Sequence, residues 1–179
     1  GAGRYGSDRS AFRTSFQDSF QGIALAEFAT NELGAKKALV IRDSSSDYAL
    51  GLTKAFEGKF DGEIVAEENF TADDTDFSAI LTRIKDLDFD FIFLPGYYNQ
   101  AGLIIKQARE MGITQPILGA DGFGNEALLE LAGVDNVDDV YYSAHYSPNS
   151  EDAQVKEFIA AYKAEYDVEP DMFAALAYD

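Results

Sequence analysis

The sequence contains no cysteine and only one histidine, His145, among its 179 residues. Without cysteine, the chain can form neither a disulfide framework, nor a thiolate metal site, nor a cysteine nucleophile. A lone histidine has no second imidazole with which to share a metal or to serve a nucleophile. We therefore expect no metal, no cofactor and no enzymatic activity, and we interpret His145 as a structural residue.

Basic residues are also scarce, with 14 lysines and arginines against 32 acidic residues and a net charge of −18. Such a charge repels phosphate backbones and anionic lipid at long range, which argues against nucleic acid as a partner. No apolar run approaches the roughly 20 residues that cross a bilayer, and the first residues lack a basic and then apolar signal pattern. The chain as given is expected to be soluble and already processed or cut.

Apolar residues, in contrast, make up 46% of the sequence and aromatic residues 13%, which is enough material for a core. Residues 1–11 are small, polar and aperiodic, so we expect them to be a linker or a cloning remnant. Residues 12–179 are expected to form a single α/β ligand-binding lobe that is truncated at its carboxyl-terminal helix.

Short apolar runs alternate with helical patterns along this range. Residues 38–41 are contiguously apolar, which is typical of a strand that has helices on both faces of its sheet. A helix beginning near Asp76 carries its apolar residues at the i, i+3, i+4, i+7 spacing. The same reasoning predicts further helices at 18–33, 48–60, 101–108, 127–131 and 155–162, and further strands at 64–66, 89–94, 117–118 and 140–142. This order indicates a doubly wound, mostly parallel open sheet with helices on both faces.

Ligands bind beyond the carboxyl ends of the strands in such a sheet, so the loops that follow the strands are the first candidates. Residues 44–46 are serines, which form either a site or a solvated helix cap. Tyr48 follows at a helix entrance, where a bulky ring gains little from exposure, and this favours a functional role. After the third strand, Tyr97 and Tyr98 provide either a pocket wall with one packing ring, or only local covering of the core.

The loop after the fourth strand carries Asp121 between glycines that allow the backbone to approach a ligand closely. In a cleft, this carboxylate would prefer a cationic partner such as an ammonium group, held through charge-assisted hydrogen bonds. Alternatively, Asp121 caps the following helix. The glycines do not form a dinucleotide fingerprint, because a carboxylate stands where the pyrophosphate would lie.

Five segments of the sequence resemble a known family: FRTSFQDSFQG, DYALGL, DFDFIFLPGYYNQAGLIIKQAREMGI, ILGADGFGN and the terminal AYD. They look like the periplasmic-type leucine/isoleucine/valine-binding proteins of ABC transporters. The resemblance runs from Phe12 to the end and covers only the carboxyl-terminal lobe of those proteins. It implies one lobe of a type I periplasmic-binding-protein fold, with the amino-terminal lobe missing.

The resemblance also implies a ligand site. It places the ammonium-binding acid on Asp121, where relatives often have glutamate, with Gly122 beside it. It favours Tyr97 over Tyr98 as a ligand contact, and it places aromatic residues of the same cleft at Tyr48 and Phe173. The groups that receive the ligand's carboxylate belong to the missing lobe, so the isolated lobe is expected to bind weakly and to self-associate through its exposed cleft.

The function that this resemblance implies is capture of a branched-chain or other aliphatic amino acid by hinge closure, and delivery to a membrane permease. The parent protein would then be extracytoplasmic, either periplasmic or lipid-anchored. A ligand-sensing ectodomain of the same fold is one alternative. Another is an enzyme that uses the serines at 44–46, which a structure placing His145 far from Ser44 would discard.

Overall fold

The computed structural model of the protein describes residues 18–144. Its strands are β1 (Lys37–Asp43), β2 (Glu63–Phe70), β3 (Phe91–Phe93), β4 (Ile117–Gly119) and β5 (Val140–Tyr142). Its helices are α1 (Asp18–Asn31), α2 (Asp47–Lys59), α3 (Ser78–Ile84), α4 (Tyr98–Glu110) and α5 (Ala127–Ala132), with 3-10 turns at Asp121–Phe123 and Val134–Asn136. The predicted linker at 1–11, the helix at 155–162, His145 and Phe173 lie outside the described range.

The five strands form one sheet in the order β2-β1-β3-β4-β5, and every neighbouring pair is parallel. Val40 pairs with Phe93, and Phe93 in turn pairs with Leu118, so the register runs across the centre of the sheet. Because β2 and β3 lie on opposite sides of β1, the chain crosses over β1 between them. The predicted doubly wound α/β architecture is confirmed.

Alternate residues of the central strands pack on opposite faces of the sheet. Leu39 and Ile92 belong to the core cluster beneath α3, α4 and α5. Val40 and Phe93 belong to a second cluster that packs against α1 and α2. Both faces of these strands are therefore covered by helices, which is why their sequences are contiguously apolar and do not alternate.

Several element boundaries differ from the sequence-based prediction, and those of α3 and β2 have a visible structural cause. Helix α3 begins at Ser78, later than predicted, because the Asp76 carboxylate accepts the Ser78 N–H at 2.9 Å and holds the preceding residues in a turn. Strand β2 is longer than predicted, because it pairs with β1 over the whole length of β1. It lies at the edge of the sheet and carries charged residues, so it lacks the apolar run that predicts a strand. One of these, Glu67, pairs with Arg42 of β1 at 2.9 Å.

Helices α1 and α2 approach closely at Gly22. A Cβ atom added there would lie 2.7 Å from the Cβ of Ala55 and 2.7 Å from the carbonyl oxygen of Leu52. Any larger residue at this position would force the helices apart. The contact therefore fixes the first turn of α1, which also carries the buried side chain of Gln21.

Arg109, in the last turn of α4, joins the segments that lead into β4 and β5. Its guanidinium donates to the carbonyl oxygens of Ile113 at 2.8 Å, Gln115 at 2.9 Å, Asp138 at 3.2 Å and Asn136 at 3.3 Å. Burial lowers the pKa of this guanidinium, but an arginine in a protein stays charged. One side chain therefore satisfies several carbonyls that the sheet and helices leave without partners.

Candidate functional site

The order of the strands opens a crevice at the carboxyl ends of β1 and β3. Helix α2, which follows β1, packs on the same face of the sheet as α1, whereas α4, which follows β3, packs on the opposite face. Loops that leave neighbouring parallel strands toward opposite faces leave a space between them, and this is where doubly wound proteins bind ligands. Tyr48, Tyr97, Asp121 and Gly122 lie in the loops and helix starts around this space.

Two tyrosine rings meet across the crevice. Tyr48 lies in the first turn of α2, and Tyr97 lies at the residue before α4. Their ring centroids are 4.9 Å apart with an interplanar angle of 25°, and Tyr97 remains 41% exposed. The neighbouring Tyr98 packs against the core cluster under α4. Of the two consecutive tyrosines, Tyr97 therefore lies at the crevice and Tyr98 packs against the core.

The carboxylate of Asp121 reaches the same place from the loop after β4. Its Oδ1 accepts a hydrogen bond from the hydroxyl of Tyr48. The same hydroxyl accepts the N–H of Gly122 at 2.8 Å. The structure thus brings together Tyr48, Tyr97, Asp121 and Gly122, while Phe173 lies outside the described residues.

The N-cap residue of α5 is Glu126 and not Asp121, and Glu126 makes no side-chain cap hydrogen bond. Asn125 accepts the N–H of Ala127, the first residue of α5, through its Oδ1 at 2.9 Å. Asp121 instead begins the 3-10 turn that follows β4, with its side chain bonded to Tyr48. The carboxylate therefore bonds to Tyr48 and does not occupy the N-cap position of α5.

Gly122 allows the loops after β3 and β4 to approach each other. A Cβ atom at this position would lie 2.4 Å from the carbonyl oxygen of Gly96 and 3.2 Å from the hydroxyl of Tyr48. No side chain fits without displacing backbone, because real Cβ atoms do not approach other atoms so closely. The absence of a side chain therefore lets the Gly122 N–H reach Tyr48.

The N–H groups of the 3-10 turn all donate within the protein. The Asp121 N–H donates to Gln21 Oε1 at 3.1 Å, and the Gly122 N–H donates to the Tyr48 hydroxyl at 2.8 Å. The Phe123 N–H donates to the Ala120 carbonyl at 3.0 Å, and the Gly124 N–H donates to the Asp121 carbonyl at 2.9 Å. Successive N–H groups at such a turn often bind anions. Here they are occupied, and the turn presents a carboxylate, so its chemistry suits a cation.

Gln21 is a residue of this site that sequence reasoning missed. It lies on α1, is only 5% exposed, and accepts both the Asp121 N–H and the Ser143 hydroxyl, the latter at 2.7 Å. Its Nε2 is buried and has no acceptor among residues 18–144. A search of the loops that follow strands cannot find it, because α1 precedes β1. The available signal was a glutamine on the buried face of a helix, next to Gly22.

The ionisation of Tyr48 is suppressed by its surroundings. Burial raises the pKa of its hydroxyl above the ordinary value, and the charge of Asp121 and the hydrogen bond to it raise that pKa further. An ionised Tyr48 would place a second negative charge beside the carboxylate. The contribution of the neutral hydroxyl to stability is therefore fully present below the ordinary pKa of tyrosine, and it is lost progressively as pH rises from that value through the raised pKa.

We expect Tyr48 to remain un-ionised at about pH 10, where an ordinary tyrosine is half ionised. The measurement is a near-ultraviolet titration of the protein, from which the titration of the Tyr48→Phe variant is subtracted. The difference should show no tyrosinate absorbance near that pH while the protein stays folded. A difference curve with its midpoint at the ordinary tyrosine value would contradict this prediction.

The three serines after β1 have structural partners. The Ser44 hydroxyl donates to the Phe70 carbonyl at 3.1 Å, and the Ser45 hydroxyl donates to the Asp43 carboxylate at 2.5 Å. The Ser46 hydroxyl oxygen accepts the N–H of Ala49 at 3.3 Å. Ser46 is the N-cap of α2, which agrees with the helix-cap interpretation of this loop.

Two further features are absent from residues 18–144. Histidine and acidic side chains form no group of three or more that could hold a metal ion there. Over the same residues, no helix has both the length and the apolar character needed to cross a membrane.

A family model described as a periplasmic binding protein matches residues 3–179. The chain belongs to this family. The Leu/Ile/Val-binding protein of Citrobacter freundii is 30% identical to this family member over 124 residues, which are 68% of the chain and 34% of that relative. The family resemblance stated from the sequence is therefore confirmed.

Solved structures of the family have the same fold. A branched-chain amino acid transporter substrate-binding protein of Streptococcus pneumoniae, in complex with isoleucine, matches with a TM-score of 0.87 and 48% identity over 92% of the chain. A leucine-binding protein of Thermotoga maritima matches with a TM-score of 0.85 and 38% identity over 93% of the chain. The chain spans about half of each of these two proteins, 48% in both cases.

Proposed function

We propose that this chain is a solute-binding lobe of an ABC importer and that it captures a branched-chain or other aliphatic amino acid without catalysing a reaction. The observation that carries this proposal is the meeting of the Asp121 carboxylate with the stacked rings of Tyr48 and Tyr97 at one crevice. The isoleucine complex of the similar Streptococcus pneumoniae protein supports the choice of ligand class.

In this proposal, Asp121 binds the ammonium group of the amino acid. An ammonium donates strong, charge-assisted hydrogen bonds to a carboxylate. The rings of Tyr48 and Tyr97 exclude water from the contact, which lowers the local dielectric and strengthens the attraction. The Tyr48 hydroxyl limits rotation of the carboxylate by its bond to Oδ1, and Gly122 keeps the loop close. Phe173 is proposed as a further aromatic wall of the same cleft.

The carboxylate of the ligand needs donors from elsewhere. The N–H groups of residues 121–124 already donate within the chain, and Asp121 would repel a second carboxylate. We place these donors on an amino-terminal lobe, because the matched relatives are about twice as long as this chain. The isolated lobe then binds weakly, and its exposed cleft favours self-association.

The remaining features of the proposal follow from the family. The two-lobed parent works outside the cytoplasm, either in the periplasm or anchored by lipid, and delivers its ligand to the permease of the transporter. Residues 12–179 are proposed to form the lobe, and residues 1–11 are proposed to be a linker or a cloning remnant. No nucleic acid, metal or cofactor takes part.

The charge preference of the site provides its test. Isopentylamine carries the side chain and the ammonium of leucine without its carboxylate, whereas 4-methylpentanoate carries the carboxylate without the ammonium. We expect the chain to bind the amine at least about tenfold more tightly than the acid, as measured by NMR titration of the amides of Asp121 and Gly122.

Two results would contradict the proposal. If 4-methylpentanoate bound as tightly as isopentylamine or more tightly, the result would contradict a cation-binding role for Asp121. Calorimetry with leucine, isoleucine and valine tests the weak binding of the lobe alone. Submicromolar binding by this chain would mean that it contains the complete site.

A further inference from the structure

Gln21 holds the main chain of the site from an element that contributes no binding loop. Its Oε1 accepts the N–H of Asp121 at 3.1 Å and the hydroxyl of Ser143 at 2.7 Å. Ser143 directly follows β5, so one buried amide oxygen connects α1 with the chain after β4 and the chain after β5. The close approach of α1 to α2 at Gly22 fixes the residue next to Gln21.

The orientation of the Gln21 amide follows from its partners. A backbone N–H can only donate, so the atom that faces Asp121 must be the oxygen, Oε1. The Nε2 then points away from the turn and is buried without an acceptor among residues 18–144. Among the described residues, the hydrogen bonds of this side chain are therefore made by its oxygen.

Asp121 is thereby held at both of its ends. Tyr48 bonds the carboxylate, and Gln21 bonds the backbone N–H. The direction of the Cα–Cβ bond depends on the backbone, so a carboxylate held only at its tip could still move with a shifting turn. The Gln21 bond also occupies the N–H that would otherwise be the first anion-binding donor of the turn.

We propose that Gln21 is a positioning residue that fixes the direction of the Asp121 carboxylate and keeps the turn selective for cations. This inference rests on the proposed function, in which Asp121 binds an ammonium group. Gln21 itself does not touch the ligand, because its side chain is buried behind the turn.

The first test is amide hydrogen exchange in the ligand-free chain, followed by NMR. Gln21→Met removes the acceptor oxygen at nearly constant side-chain volume. Gln21→Asn shortens the side chain by one methylene, which moves the amide oxygen away from Asp121. In both variants the Asp121 N–H is expected to exchange at least about tenfold faster, because it loses its hydrogen bond. Gln21→Glu keeps an acceptor oxygen in place, so protection of the Asp121 N–H should be restored.

Thr53→Val is the matched control for these variants. It removes a buried hydroxyl whose bond, 2.8 Å to the Ala49 carbonyl, stays within α2. The control should leave the exchange of the Asp121 N–H unchanged. In Gln21→Met, binding of isopentylamine should weaken about five- to tenfold, and the preference for this amine over 4-methylpentanoate should fall.

The outcomes separate the two proposals. Unchanged Asp121 exchange in both Gln21→Met and Gln21→Asn overturns the positioning role of Gln21, and so does a uniform increase over the whole chain. If either variant fails to fold, the other one and Gln21→Glu decide the question. If the unmodified chain binds no amine, the proposed function fails, while the exchange rates still decide whether Gln21 fixes Asp121.

Discussion

Replacing Asp121 with asparagine is expected to weaken binding of isopentylamine by about 10- to 100-fold, since a hydrogen bond to a charged group contributes about 1.5–3 kcal/mol. Asparagine keeps the shape of the side chain and an oxygen that can accept from Tyr48, so the change removes mainly the charge. The measurement is the NMR titration of this chain at about 0.1 M salt, where the Debye length is about 10 Å. Asp121→Glu keeps the charge and should retain most of the binding.

Asp135→Asn provides the matched control for this charge change. Asp135 is exposed in the 3-10 turn Val134–Asn136, away from the crevice. Its removal lowers the net negative charge equally, but at a distance where salt and water screen the effect, so binding should change by about twofold or less. Equal losses in the two variants would mean that Asp121 acts only through the overall charge, which would contradict its proposed contact with the ligand.

Replacing Arg109 with methionine is expected to lower the free energy of unfolding by about 3–5 kcal/mol. The change leaves the carbonyls of Ile113, Gln115, Asn136 and Asp138 without their charged donor, and most of these bonds are partly buried. Urea denaturation followed by circular dichroism measures this loss. Arg109→Lys should have an intermediate effect, because an ammonium cannot reach several carbonyls as the planar guanidinium does.

Arg83→Met is the control for loss of an arginine. Arg83 forms a salt bridge with Glu68 at 2.7 Å, but its side chain is 55% exposed. Exposed ion pairs contribute about 0–1 kcal/mol, so this variant should remain close to the original stability. Similar losses of unfolding free energy in the two variants would mean that the hydrogen bonds of Arg109 to the carbonyls stabilise the fold no more than an exposed ion pair does.

The order and type of the elements in the described range could be predicted from local pattern. The contiguous apolar run of β1 indicated a sheet covered on both faces, and Gly34 and Gly112, which follow α1 and α4, have the positive φ angles of 60° and 81° expected where helices end. The predictions that were wrong concerned the boundaries of helices and strands. The length of β2 depends on its pairing with β1, and the start of α3 depends on the turn at Asp76.

The candidate site was predictable where it depends on the loops that follow strands. Tyr48, Tyr97 and Asp121 were selected because the carboxyl ends of parallel strands meet at one edge of the sheet. The structure brings these three side chains together, and their role in ligand binding remains a prediction. Gln21 was not found, because helical periodicity does not identify which loop a buried polar residue of the helix will contact.

The α/β class and the order of the elements follow from local sequence pattern, because periodicity and turn chemistry act over a few residues. Which groups bond to one another depends on the packed fold. The Tyr48 hydroxyl and the Asp121 carboxylate are 73 residues apart in the chain, and Gln21 and Asp121 are 100 residues apart. Such contacts exist only after the strands have paired in the order β2-β1-β3-β4-β5, and that order is a property of the packed sheet.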